Sequence, residues 1–157
     1  MMGNVFQVDS EYGKKSNQFE KTRKAALQYV MSEFKSAHLF EKILKEYKSP
    51  DLKPPDIPTD IDNKFLLIKY ELDMKKYYDD KKDLDDGLFR LWALLNGQGS
   101  GLAKTEVKAI TSYDDAVSKK DCVWLLKSYR AVTTRIHKSK HFASTIIQVR
   151  KDLYTYT

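Results

Sequence analysis

Few stretches of this chain combine residue types that can do chemistry, and each meets a simpler alternative. Gly97-Gln98-Gly99-Ser100-Gly101-Leu102-Ala103-Lys104-Thr105 places glycines before a Lys-Thr pair. At a helix start, such a run can offer backbone amides and an ammonium to phosphate. The spacing fails: Ala103 stands where a glycine should precede the lysine, Gln98 stands at the first glycine, and an apolar helical run leads in. A helix-ending turn accounts for the glycines. His137 and His141, four apart, could join Cys122 around zinc, but Lys138 and Lys140 would repel the ion. No metal and no cofactor are expected. Gly-x-Ser-x-Gly and His-Glu-x-x-His are missing, and the aspartates of residues 79–86 alternate with lysines as on a solvated helix surface. No catalytic residue is expected, and the chain reads as a non-enzyme.

The strongest remaining signal is charge. The net charge of +6 is unevenly spread: residues 1–50 carry 9 cations and 6 acids, residues 51–100 carry 8 and 11, and residues 101–157 carry 11 and 5. From residue 119 onward Lys119, Lys120, Lys127, Arg130, Arg135, Lys138, Lys140, Arg150 and Lys151 face only Asp121 and Asp152. Such a region can neutralise phosphates without reading sequence, a salt-sensitive contact. Tyr154 and Tyr156 could stack on bases; a plain solvated surface is the competing explanation.

The elements that would carry these residues are helices throughout, with no convincing strand. Phe19, the stem of Arg23, Leu27, Val30, Met31 and Phe34 recur at helical intervals behind Asn17, an N-cap residue type. Leu39, Phe40, Ile43, Leu44 and Tyr47 repeat the pattern. Residues 49–60 hold all four prolines and form a linker, because each ring removes a backbone donor. Ile61, Phe65, Ile68 and Leu72 then define one apolar stripe, and Leu84, Leu88, Leu91 and Leu95 another, pointing elsewhere. One long helix that packs on two partners in succession fits better than a break at residues 79–83, where no proline intervenes.

Asn96-Gly97 should close that helix in a left-handed cap. A short helix from Leu102 to Ile110 and a turn at residues 113–116 follow. The segment after Asp121 is the most clearly amphipathic, with Cys122, Leu125, Leu126, Tyr129, Val132 and Ile136 on one side and Lys127, Arg130, Thr134 and Lys138 on the other. Phe142, Ile146, Val149 and Leu153 mark a last helix. The expectation is an all-α domain of six to seven helices: residues 1–48 a helical hairpin, 49–60 the linker, 61–157 the main region. With one cysteine, no leader-like start in residues 1–10 and no apolar run of membrane-spanning length, a cytoplasmic protein is expected.

Leu88-Phe89-Arg90-Leu91-Trp92-Ala93-Leu94-Leu95-Asn96-Gly97-Gln98-Gly99-Ser100, followed by Asp121-Cys122-Val123-Trp124-Leu125-Leu126-Lys127, resembles the Gag polyprotein of copia-type LTR retrotransposons. In the relevant branch a helix ends in Trp-Gly-Gln-Cys-Ser and the next long helix begins Asp-x-x-x-Leu-Leu-Lys. The resemblance covers roughly residues 4–157, including Asn4-Val5-Phe6-Gln7 and Leu153-Tyr154. Asn96 and Gly99 replace the family's tryptophan and cysteine, and neither a Cys-x-x-Cys zinc knuckle nor a protease Asp-Thr-Gly follows. The resemblance implies a capsid-like module, cut from a polyprotein or left as a decayed or domesticated copy. Such a module associates with itself into virus-like particles and holds RNA. Trp124, about 100° from the centre of its helix's apolar stripe, is the candidate assembly contact; packing under the Pro-rich linker is the alternative. A monomeric helical adaptor or nucleic-acid-binding module is the other reading.

Overall fold

The computed structural model describes residues 18–135. Five helices, α1 (Phe19–Glu33), α2 (His38–Glu46), α3 (Lys64–Gly97), α4 (Gly101–Lys108) and α5 (Tyr113–Lys119), precede a sixth, α6, described over residues 122–135. No strand forms among the described residues, so the chain is an all-α domain. The expected cap Asn17, the apolar position Ile136 and the helix built on Phe142, Ile146, Val149 and Leu153 lie outside the described residues.

One apolar core joins all six helices and both sides of the linker. It gathers Phe19, Ala26 and Val30 from α1; Phe40, Ile43 and Leu44 from α2; Leu91, Trp92 and Leu95 from α3; Ala103 and Val107 from α4; Ala116 from α5; and Cys122, Leu125, Leu126, Tyr129 and Val132 from α6. α2 and α6 bury the faces their spacing predicts. α1 does not follow its hydropathy: Thr22 and Ala26 are buried, Leu27 is half-buried, and Met31 stands exposed. Phe19, Thr22, Ala26 and Val30 recur at three- and four-residue intervals on one face, and that is the face α1 buries.

Specific polar contacts fix the joints. The Arg23 guanidinium donates to the Leu44 carbonyl at 2.6 Å, meeting an oxygen in the last turn of α2, while Glu20 holds its other edge at 2.7 and 3.2 Å. That hydrogen bond to Glu20 is the main reason the Arg23 pKa is raised, so the cation persists although it is half-buried. Residues 48–58 are irregular, as four prolines require, and Leu52 packs against the core.

α3 is continuous over its 34 residues, roughly 50 Å of helix. Asn63 starts it, its side-chain oxygen accepting from the amides of Phe65 and Leu66 at 3.0 and 3.3 Å. Ile61 falls in the turn before this cap. Gly87 is a notch: a Cβ there would lie 2.0 Å from Cζ of the fully buried Phe40. The expected left-handed cap at Asn96-Gly97 is not found. Gly97 belongs to the helix, and Gln98 continues at φ −86°, ψ −5°. The glycine that matters in this turn is Gly99, where a Cβ would come within 2.4 Å of the Tyr129 hydroxyl. Backbone approach to a buried ring, not turn handedness, selects glycine here.

Candidate functional site

α6 positions the cationic side chains. Asp121 caps it, its carboxylate accepting from the Trp124 amide at 3.0 Å. Cys122, Leu125, Leu126, Tyr129 and Val132 face the core, which turns Lys127, Arg130 and Arg135 to the surface. Lys119 and Lys120 close α5 just before it, Lys120 in the left-handed region at φ 50°. The five described cations of the sequence set thus belong to α6, the end of α5 and the turn between them. Lys138, Lys140, Arg150 and Lys151 lie outside the described residues, as do His137, His141, Tyr154 and Tyr156.

Most of these cations already have neighbours. Lys119 pairs with Asp115 at 2.9 Å, and Arg135 pairs with Glu106. The Lys120 ammonium sits 4.9 Å from the Phe89 ring centre and 5.7 Å from that of Trp92. The Arg130 guanidinium lies 4.4 Å over Tyr47. The two ion pairs are between exposed groups and are worth only ~0–1 kcal/mol each, little enough for a phosphate to compete. Stacking on a ring face leaves N–H donors of Lys120 and Arg130 pointing outward.

Trp124 is half-buried. Its indole N–H donates to the Ser112 hydroxyl at 3.0 Å, and its ring lies 6.1 Å from that of Tyr113. These two partners come from the start of α5, and the ring also packs against the core.

The nucleotide-like glycine run is spent on structure. Ser100 caps α4 by accepting from the Ala103 amide at 3.3 Å, and the Thr105 hydroxyl donates back to the Gly101 carbonyl at 2.9 Å. Cys122 is 2 % exposed, its thiol donates to the Leu88 carbonyl at 3.5 Å, and burial pushes its pKa up to about 12. A protonated, covered thiol is a poor nucleophile. The Tyr129 phenol, also raised by burial, donates to Asn96 at 2.9 Å. Among the described residues no three His, Cys, Asp or Glu side chains are grouped to hold a metal ion. Two clefts of about 250 and 300 Å³ open beside Cys122 and beside Arg90. Both are lined by side chains of both charges, Lys119, Lys120 and Asp121 in the first and Glu33, Lys35, Lys82, Asp83, Asp86 and Arg90 in the second. No described helix is long and apolar enough to cross a membrane.

The unexpected surface is the first half of α3. No residue of this helix before Gly87 is buried, and Phe65, Ile68, Leu72 and Tyr78 are exposed, with Ile57 and Ile61 exposed just ahead of them. Sequence spacing marks Ile61, Phe65, Ile68 and Leu72 as a packing stripe but assigns it a partner inside the domain. Among the described residues only the Leu84-to-Leu95 stripe has one. Comparisons with protein-family models, with curated proteins and with solved structures find no match to this chain.

Proposed function

We propose that this protein is a retrotransposon Gag-like structural protein that associates with itself into capsid-like particles and holds RNA through its basic C-terminal part. The observation that carries the reading is the exposed apolar stripe Phe65, Ile68 and Leu72 of α3 beside a complete core. A helix that has completed one interface and presents a second apolar stripe to water is built for contact with another protein surface.

The chemistry on the page supports an architectural role over a catalytic one. The buried titratable groups, Cys122 and Tyr129, are held in their neutral forms. The cations of α6 stand on the opposite side of that helix from its core face, so RNA can be held without disturbing the fold. Their number favours backbone neutralisation. Repeated heterologous contacts would extend such units into a shell; Trp124, half-buried, is the contact proposed on α6. The working compartment is the cytoplasm, where a lone buried thiol is in keeping.

The test is sedimentation velocity and negative-stain electron microscopy of the purified chain, with and without RNA, from 50 to about 500 mM salt. The expected result is large assemblies with RNA at low salt that shrink as salt rises. A single monomeric species at every concentration, with or without polyanion, would overturn the proposal and favour a helical adaptor.

A further inference from the structure

Resting on the RNA-holding part of this reading, we infer that the cleft beside Cys122 takes a base of single-stranded RNA, with the adjoining phosphate held by Lys119 and Lys120. The cleft, about 250 Å³, opens where the Pro-rich linker, α3 and the turn from α5 into α6 meet. Pro50, Leu84, Leu88 and Val123, all half-buried, line it, and the buried Ile43 and Cys122 close it on the core side. The Cys122 thiol already donates to the Leu88 carbonyl at 3.5 Å, so these walls offer a ligand carbon surface. Sites for drug-sized ligands run from roughly 300 to 1,000 Å³. This cleft is smaller, with room for one flat ring system and not for a whole nucleotide cofactor.

Charge selects a base over the apolar side chain of a peptide. Lys119 and Lys120 line the same cleft from consecutive positions. Their present partners hold them weakly: the exposed Asp115 carboxylate for Lys119, and the Phe89 and Trp92 ring faces for Lys120. Both ammoniums can therefore turn to a phosphate at little cost. The turn that carries them is fixed, with Lys120 at φ 50° and its amide donating to the Val117 carbonyl at 3.2 Å. The acid in the lining, Asp121, accepts from the Trp124 amide at 3.0 Å, so its charge is answered by the positive end of α6. An apolar ring flanked by phosphates is what a single strand presents and what a duplex hides, because paired bases stack inside it. Carbon walls tolerate any base, in keeping with an interface that neutralises backbone without reading sequence.

Neutralisation alone predicts that affinity follows the phosphates; the cleft predicts that it follows the bases as well. Fluorescence anisotropy of the full chain at about 50 mM salt compares a labelled oligouridine of about eight nucleotides with an abasic ribose-phosphate oligomer of the same length. The oligouridine should bind about fivefold or more tightly, the low end of what one stacked base contributes. Val123→Phe fills the cleft without changing charge and should bring the two oligomers within about twofold, with helical circular dichroism unchanged. Replacing both lysines, Lys119→Ala with Lys120→Ala, should weaken both oligomers. Equal binding of the two oligomers by the wild type, a comparison that needs no variant, would overturn the cleft and leave the RNA reading standing. So would a gap that survives Val123→Phe in a folded protein. Binding of neither oligomer would overturn the RNA reading and the cleft together.

Discussion

Replacing Gly87 with alanine sets two effects of known size against each other. In a helix interior alanine is favoured over glycine by ~1 kcal/mol, so a helix-propensity argument predicts stabilisation. The packing predicts the reverse. The added Cβ would sit 2.0 Å from Phe40 Cζ and 2.8 and 2.9 Å from the two Cε atoms. Carbon atoms rest about 3.5–4.0 Å apart, so the ring must withdraw by ~1.5 Å or more. It cannot do so alone: Phe40 is fully buried and stacks edge-on with Phe34 at 5.4 Å, and Phe34 carries the Arg90 guanidinium at 4.4 Å. Overpacking of this kind costs ~1–3 kcal/mol, and an overlap of this depth belongs at the upper end. Gly87→Ala should therefore destabilise by ~1–2 kcal/mol net, lowering Tm by ~2–8 °C. Urea denaturation followed by circular dichroism measures it. Phe40→Leu removes the atoms that collide, so the double variant should be more stable than the sum of the single effects by at least ~1 kcal/mol. A Gly87→Ala protein more stable than the wild type, or single effects that simply add, would refute the argument.

Arg23 should be worth more than a surface charge: Arg23→Ala removes the donor to the Leu44 carbonyl and should cost ~1.5–3 kcal/mol in urea denaturation. Arg23→Lys should recover little of it, since one ammonium cannot reach that carbonyl and both contacts to Glu20. Cys122 should resist thiol reagents in the folded protein at pH 8 and react at the rate of a free thiol once unfolded, read by absorbance with an aromatic disulfide. Its folded pKa of about 12 lies above the ordinary value of 9.0, so the folded state holds this proton more tightly. The Cys122 contribution is then constant below pH 9 and lost as pH rises from 9 toward 12. Cys122→Ala should flatten the decline of stability over that interval, and an unchanged slope would contradict the assignment.

Residue spacing alone determined the helices whose pattern admits one reading. In α2, Leu39, Phe40, Ile43 and Leu44 leave a single apolar face, and in α6 the Asp121 cap and the split between Leu125-Leu126-Tyr129 and Lys127-Arg130 do the same. The proline linker and the unbroken α3 follow from backbone chemistry, which acts locally and is fully encoded by residue type. Tertiary structure decided wherever two faces competed or distance between backbones mattered. Met31 is more apolar than Thr22, yet α1 buries Thr22, because Thr22 shares the face of Phe19, Ala26 and Val30 that meets the core while Met31 falls outside it. Gly87 and Gly99 read as weak points in a helix and a turn. They are the openings into which Phe40 and Tyr129 fit, rings contributed from 47 and 30 positions away. Of the two α3 stripes, equally apolar on paper, only Leu84-to-Leu95 is met by other described elements, since burial depends on what the remaining chain can reach. The stripe from Ile61 to Leu72 stays in water.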